Sequence, residues 1–323
     1  MVGLFSLTDG PTSAILLLHK KHSFWGKTYM KKIITTLTAL LLLTPALIFA
    51  GGSSNTCDTK YPVFLSHGMG ASAQIIGIVD YWFGIEDALR DEGTQLFVTS
   101  VNGMDSTANK AAHFKQQFLE GLAISGASKG NIIGHSHGTV YTRYAISNLG
   151  ISSKVASHTS LSGPHRGSSV ADSVFKIVPE SGWNLVGAGM DFVYAVLFGD
   201  TDPNSLENGL EMTRPYMAAF NTNTPNKSGV YYQSWTSKIR YASNSVILEI
   251  PWLICLYYEG ANDGLVSVNS AKWGNFRGVI EGAWWSGGVD HLNIVGQFLG
   301  ITPGFDAPDF FVDIVKELKS RGL

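Results

Sequence analysis

The sequence predicts an α/β fold with a mostly parallel central sheet and helices on both of its faces. Two patterns carry this. Short apolar runs alternate with segments of helical spacing, and the connections between them span only a few residues, as parallel strands with crossover helices require. The 323 residues are also 45% hydrophobic and only 15% charged, with 36 Gly and eight Trp, which is enough apolar material for one large core.

Tyr61 to Ser66 is a short apolar run bounded by Pro62 and by His67-Gly68-Met69-Gly70, and it predicts a buried strand entering a loop. Tyr81 to Glu92 has helical spacing and stops at Gly93, and Gln95 to Val101, rich in β-branched and aromatic residues, is the next strand. From His113 to Ile124, Phe114, Phe118, Leu119 and Leu122 recur at helical spacing ahead of Gly126; Asn131 to Ile133 then predicts a strand. Beyond Ser136 come a helix over Thr139 to Leu149 and a strand near Val155 to Leu161. Between Ser181 and Phe198 apolar residues crowd around one charge, Asp191. Two readings stand for this segment: a core helix, or an amphipathic lid over a site. Its place in the chain favours a lid insertion near 175–215. Thr222 to Gly229 is a polar surface loop, and the apolar run Ile250 to Tyr258 is expected to be a late strand.

The amino-terminal region stands apart. Met30-Lys31-Lys32, the apolar stretch Ile33 to Phe49 and the small residues that follow predict a secretory signal peptide over 30–50. A membrane anchor is the alternative. It is disfavoured because the stretch is short of the roughly 20 apolar residues a span needs and is interrupted by Thr35, Thr36, Thr38 and Pro45. Residues 1–29 fit neither leader nor core and suggest a true start at Met30, leaving 51–323 as a single domain. Export via the periplasm to the exterior is the expected destination. The two cysteines, Cys57 and Cys255, could pair there; as Cys255 lies in an apolar run, a free core thiol is an equal reading. A net charge of -2 and a pI near 6.5 give no attraction to polyanions, so nucleic acid is excluded as a partner class.

The chemistry centres on Gly134-His135-Ser136-His137-Gly138, which follows a strand pattern and precedes a helical one. A nucleophile on so tight a turn adopts strained backbone angles, and glycines two residues either side remove side chains that would collide; this is the nucleophile elbow of an α/β-hydrolase fold. A serine hydroxyl needs a base to take its proton and a carboxylate to orient that base, in the chain order Ser, acid, His. His137 sits on the turn itself, and His158 and His165 precede any sensible acid position. His291 remains, in Gly288-Val289-Asp290-His291-Leu292. Asp263, in Asn262-Asp263-Gly264, is the acid; Asp290 competes but is adjacent to the histidine. The oxyanion of a tetrahedral intermediate needs two backbone N–H donors, expected from His137 and Met69, with His67 bracing the second loop.

These motifs resemble the true lipases of Gram-negative bacteria, the Pseudomonas, Burkholderia and Proteus group of triacylglycerol lipases. The matching segments are Tyr61 to Met69, Asp80 to Ile85, Ile133 to Gly138, Gly163 to Ser168, Asn262 to Val266 and Asp290 to Leu292, in family order. The resemblance implies Ser136, Asp263 and His291 as catalytic residues and Met69 and His137 as oxyanion donors. It also implies a mobile lid, long-chain acyl esters at an interface as substrate, a monomer, and a lipase foldase and secretion machinery as partners. No cofactor is expected for catalysis.

The family holds a structural calcium near the catalytic histidine. Here Asn293 stands where an Asp is usual, Gln297 keeps another matching position, and no second carboxylate can be placed in Tyr241 to Trp252. A neutral amide holds a hard cation more weakly than a carboxylate does. The spacing from Asp263 to His291 is longer than in the family and carries Trp273, Trp284 and Trp285, and the cysteines are not at the family's disulfide positions. Hydrolysis of phospholipid or polyester, or a catalytically idle lipid-binding role, are the competing functions.

Overall fold

A computed structural model describes residues 55–69, 74–75, 79–177, 184, 204–245, 248–297 and 302–323. The expected signal segment 30–50, the residues before it, and the 181–198 lid segment apart from residue 184 lie outside the described residues. So do parts of the wider 175–215 insertion.

Six strands form one parallel sheet in the order β4-β1-β5-β6-β7-β8: β1 (Val63–Ser66), β4 (Leu96–Thr99), β5 (Gly130–His135), β6 (Val155–Leu161), β7 (Tyr231–Ser237) and β8 (Asn275–Ile280). Leu65 of β1 lies opposite Val98 on one side and Ile133 on the other. Two short strands, β2 (Gln74–Ile75) and β3 (Val79–Asp80), pair antiparallel away from it. The alternation of strand side chains builds three layers. Val63, Leu65 and Ile133 pack with α1 (Ile85–Asp91) and the final helix, here α9 (Ala307–Ser320). Phe64 and Ile132 point the other way, onto α2 (Thr107–Ser125) and α3 (His137–Asn148). Further helices among the described residues are α4 (Ser169–Ile177), α5 (Ser205–Glu211), α6 (Arg214–Asn223), α7 (Glu249–Glu259) and α8 (Val268–Ala271).

The early strands fall where the sequence places them, but two helices start elsewhere. α2 begins six residues before the expected His113, because the Ser106 hydroxyl accepts the Asn109 N–H at 3.3 Å and caps it there. α1 begins at Ile85, since Gly84 at φ 71° breaks the helical path.

The expected late strand at Ile250 to Tyr258 is instead helix α7. An apolar run of this length satisfies either geometry, and burial of Trp252 and Cys255, three residues apart, selects the helix. The late strands are β7 and β8. β8 is built from the long spacing between Asp263 and His291, so that insert forms the sheet edge as well as loops.

Cys57 and Cys255 are unpaired and buried. Their thiols meet the carbonyls of Val312 and Leu265, each at 3.5 Å. Burial pushes the Cys255 thiol up to about 12. Among the described residues no helix is long and apolar enough to cross a membrane.

Candidate active site

The site forms at the carboxyl ends of the parallel strands, where open α/β sheets gather ligands. β5 ends at His135 and α3 starts at His137, so Ser136 occupies the junction alone. Its backbone sits at φ 54°, ψ -129°. Among the described non-glycine residues only Ser136 and Ser162 have positive φ, a conformation that costs about 1–3 kcal/mol and persists only when the surroundings enforce it.

Here they do. Ser136 N–H donates to the Leu161 carbonyl at 2.9 Å, and Thr139 returns its N–H (3.1 Å) and hydroxyl (2.8 Å) to the Ser136 carbonyl. A Cβ on Gly138 would lie 2.2 Å from the Ser66 carbonyl oxygen, so only glycine lets the elbow press against the end of β1. Gly68 works the same way from the opposite loop, where an added Cβ would meet the Ser136 Cβ at 2.7 Å.

His291 and Asp263 are joined twice. The His291 N–H donates to the Asp263 carbonyl at 2.8 Å, and His291 Nδ1 lies 2.8 Å from Asp263 Oδ2. A carboxylate only accepts, so Nδ1 carries the proton and Nε2 is left as the basic nitrogen. The other carboxylate oxygen, Oδ1, accepts the Leu265 and Val266 N–H groups at 3.0 and 2.8 Å. Asp263 is fully buried. It follows helix α7, not a strand, and its turn is held by Asn262, whose amide donates to the Gly260 carbonyl and whose oxygen accepts the Gly264 N–H. Asp290 turns away from the histidine: it accepts from Ser245 and from the N–H groups of Leu292 and Asn293.

The expected oxyanion donors flank Ser136 on two elements. His137 opens α3, where the i−4 ladder offers its N–H no acceptor, and Met69 follows Gly68 on the loop after β1. The supports beneath them were not foreseen. Gly68 N–H donates to Tyr81 Oη at 3.0 Å, and Tyr81 Oη lies 2.5 Å from His135 Nδ1. The His135 ring packs against the His291 ring at 4.7 Å between centroids. Burial, aided by the neighbouring His291, holds the His135 pKa well below its usual value. Tyr81 thus ties the Met69 loop to the elbow and, through His135, to His291.

A second network holds the His137 ring. Lys110 Nζ lies 2.9 Å from His137 Nδ1 and donates to the Gly103 carbonyl at 2.8 Å. His137 Nε2 lies 2.8 Å from the Thr107 hydroxyl, which donates to Glu211 Oε2 at 2.6 Å. The ammonium can only donate, so Nδ1 accepts and Nε2–H donates to Thr107. The ring is neutral, consistent with its burial and the adjacent ammonium pushing its pKa well down. A signal for Lys110 existed: with Phe114 and Phe118 it shares one i, i+4 stripe, so a lysine stands on a buried face. Tyr81 and His135 lay inside the matching motifs without an assigned role.

Three other buried histidines among the described residues, His67, His158 and His165, have structural partners. Val101 N–H donates to His67 Nε2 at 3.1 Å, so His67 Nδ1–H donates to the Gly68 carbonyl at 3.0 Å; burial lowers its pKa to about 4. His158 meets the Thr142 hydroxyl at 2.8 Å, and His165 lies between Arg143 and Ser160.

Ser136, His137, His291 and Met69 line one cavity of about 280 Å³ together with apolar residues that include Met104, Val174, Phe175, Leu206, Leu265 and Val266, and with Ser168 and Ser205. The two calcium candidates are both neutral amides. Gln297 donates its amide N–H to the Tyr81 carbonyl at 2.5 Å, and Asn293 is a neutral amide in a 3-10 turn. Among the described residues no group of three or more His, Cys, Asp or Glu could hold a metal ion. Calcium takes six to eight oxygen ligands.

A solved structure of a metagenomic carboxyl esterase superposes with a TM-score of 0.64 at 16% identity, over 86% of this chain and 80% of that one. Together with the elbow on its parallel sheet, this places the molecule in the α/β-hydrolase class. A triacylglycerol lipase of Vibrio cholerae is 30% identical over 91% of this chain and 100% of the relative. Another, from Burkholderia plantarii, is 33% identical over 52% of this chain and 49% of the relative. No family model matches the chain. The chain belongs to the family of bacterial lipases, and it is a carboxylic ester hydrolase.

Proposed function

We propose that the protein is a secreted triacylglycerol lipase that cleaves long-chain acyl esters through an acyl-enzyme on Ser136. The observation that carries this reading is the doubly anchored Asp263–His291 pair at the same apolar cavity as the strained Ser136. The cavity walls suit an alkyl chain and offer little to a polar acyl group. The relatives named triacylglycerol lipase support a lipid substrate, and the apolar leader-like segment at 30–50 supports export.

Ser136 Oγ attacks the ester carbonyl carbon while its proton passes to His291 Nε2. The resulting oxyanion accepts hydrogen bonds from the Met69 and His137 N–H groups. Collapse breaks the ester C–O bond, and His291 gives its proton to the departing alcohol. Water then attacks the acyl-enzyme, loses a proton to His291, and releases the fatty acid as the proton returns to Ser136. Asp263 stays ionised throughout and stabilises the imidazolium.

The test is Ser136→Ala on a soluble p-nitrophenyl ester, with a loss on the order of 10⁴-fold or more expected; an undiminished rate would overturn the mechanism. The wild type is then compared on emulsified triolein, phosphatidylcholine and a polyester film, each with and without a chelator. Triolein is expected to be fastest, with rates indifferent to the chelator. A preference for phospholipid or polyester would replace the substrate assignment.

A further inference from the structure

Helix α7 carries apolar side chains on both of its sides. Its inner side buries Trp252 and Cys255 and carries Glu259, whose carboxylate accepts the Ser169 N–H at 2.7 Å and the Ser267 hydroxyl at 2.6 Å. Its outer side is apolar: Ile250 is 71% exposed, Leu253 48%, Leu256 44% and Tyr257 82%. At 3.6 residues per turn these four positions fall on one stripe. A contiguous exposed apolar stripe of this kind marks an interaction surface.

Three observations indicate what it meets. First, the helix that carries the stripe lies beside the catalytic cavity. α7 packs against α4, Val170 and Val174 of α4 line the cavity, and Val174 is itself 41% exposed. The Cys255 thiol also donates to the carbonyl of Leu265, another cavity residue, at 3.5 Å. Second, α7 carries no Lys or Arg, and its only charges are the end residues Glu249 and Glu259. Adsorption to an anionic surface relies on basic residues, so α7 does not favour one. Third, Tyr257 and its half-exposed neighbour Tyr258 are amphipathic aromatics, suited to a boundary where one end is apolar and the other wet.

We infer that the outer face of α7 is the surface by which the enzyme settles on an uncharged lipid–water interface, holding the cavity mouth against the substrate phase. This rests on the lipase reading, and it locates the docking face on a described helix outside the 181–198 segment.

The experiment compares wild type with Ile250→Ser/Leu253→Ser/Tyr257→Ser, all at exposed positions outside the catalytic machinery. Both proteins are assayed on p-nitrophenyl butyrate below its solubility limit and on triolein droplets coated with phosphatidylcholine. Binding is measured by flotation with the same droplets and with phosphatidylglycerol vesicles, and mass by light scattering. The soluble-ester rate is expected to stay within about twofold, while droplet binding and the triolein rate at limiting surface area fall by about tenfold or more.

Unchanged droplet binding by a variant with intact soluble-ester activity would overturn the inference. So would stronger wild-type binding to phosphatidylglycerol than to coated droplets, or a wild-type dimer that the substitutions split while droplet binding persists. A wild type inactive on the soluble ester would instead count against the ester hydrolase mechanism, leaving the flotation comparison to decide the docking face.

Discussion

Behind Ser136 the protein buries Lys110, Arg143 and five histidines other than His291, while along α7 it turns Ile250, Leu253 and Tyr257 to solvent. In the first region the buried polar side chains are tied to named partners. Arg143 donates to Asn221 and to the Thr224 carbonyl and stacks 3.5 Å from the centroid of the Trp273 ring; Lys110, Thr107 and Glu211 hold His137 from both ring nitrogens. Directional bonds in a low-dielectric interior fix positions to a fraction of an ångström, which a reacting serine requires. In the second region the apolar atoms make no directional demand and accept any apolar phase. The contrast assigns precision to the buried polar side and adaptability to the exposed apolar side.

Acid is the strongest way to break the polar side. His67 has a folded pKa of about 4 against an ordinary 6.5, and His158 is lowered to about 3; His135, His137 and His165 are shifted in the same direction. Between pH 6.5 and 4 the unfolded chain therefore binds more protons than the folded one. Stability is full above pH 6.5 and is lost as pH falls toward 4. From pH 7 to 5, His67 alone removes about 2 kcal/mol, and the other four act in the same direction. Urea midpoints measured across that range should fall steeply; a flat profile would mean that these imidazoles are not held neutral.

Gly138→Ala should come next. The added methyl meets the Ser66 carbonyl oxygen at 2.2 Å, and parting the elbow from β1 is expected to cost about 3 kcal/mol and to abolish ester hydrolysis. Urea unfolding and an ester assay on the same sample check both.

The smallest effects sharpen the comparison from its two ends. Tyr81→Phe removes one hydroxyl between Gly68 and His135 and should lower kcat about tenfold, one lost hydrogen bond in the site, with KM unchanged. Leu253→Ser, on the exposed face, should leave unfolding within about 0.5 kcal/mol of wild type. Equal effects of the two on kcat would erase the distinction between the regions.

Much of this site was legible. The strand at β5, the pentapeptide around Ser136 and the helix behind it are local patterns, so the nucleophile and its glycines could be read in place. Asp263 and His291, which the structure joins by hydrogen bonds, were chosen from their order in the chain, although the expected strand before Asp263 is α7. Strand β7 was not foreseen because Gln233, Ser234, Thr236 and Ser237 are buried polar residues, and a strand of that composition resembles a loop. The Gln233 amide N–H finds its acceptor across the sheet, donating to Thr159 at 3.0 Å. Glu211 lies 104 residues from Thr107, beyond the reach of any periodicity.

By itself the sequence determined the elbow, the order of its partners and the glycines that let backbones touch, since these depend on conformational preferences of residues close in the chain. The tertiary structure decided which side of α7 faces out, that Cys57 and Cys255 stay apart, and how Tyr81, His135 and Lys110 support the site. Those outcomes follow from burial and from hydrogen bonds between segments distant in the chain, whose energies exist only once the sheet and its helices have come together.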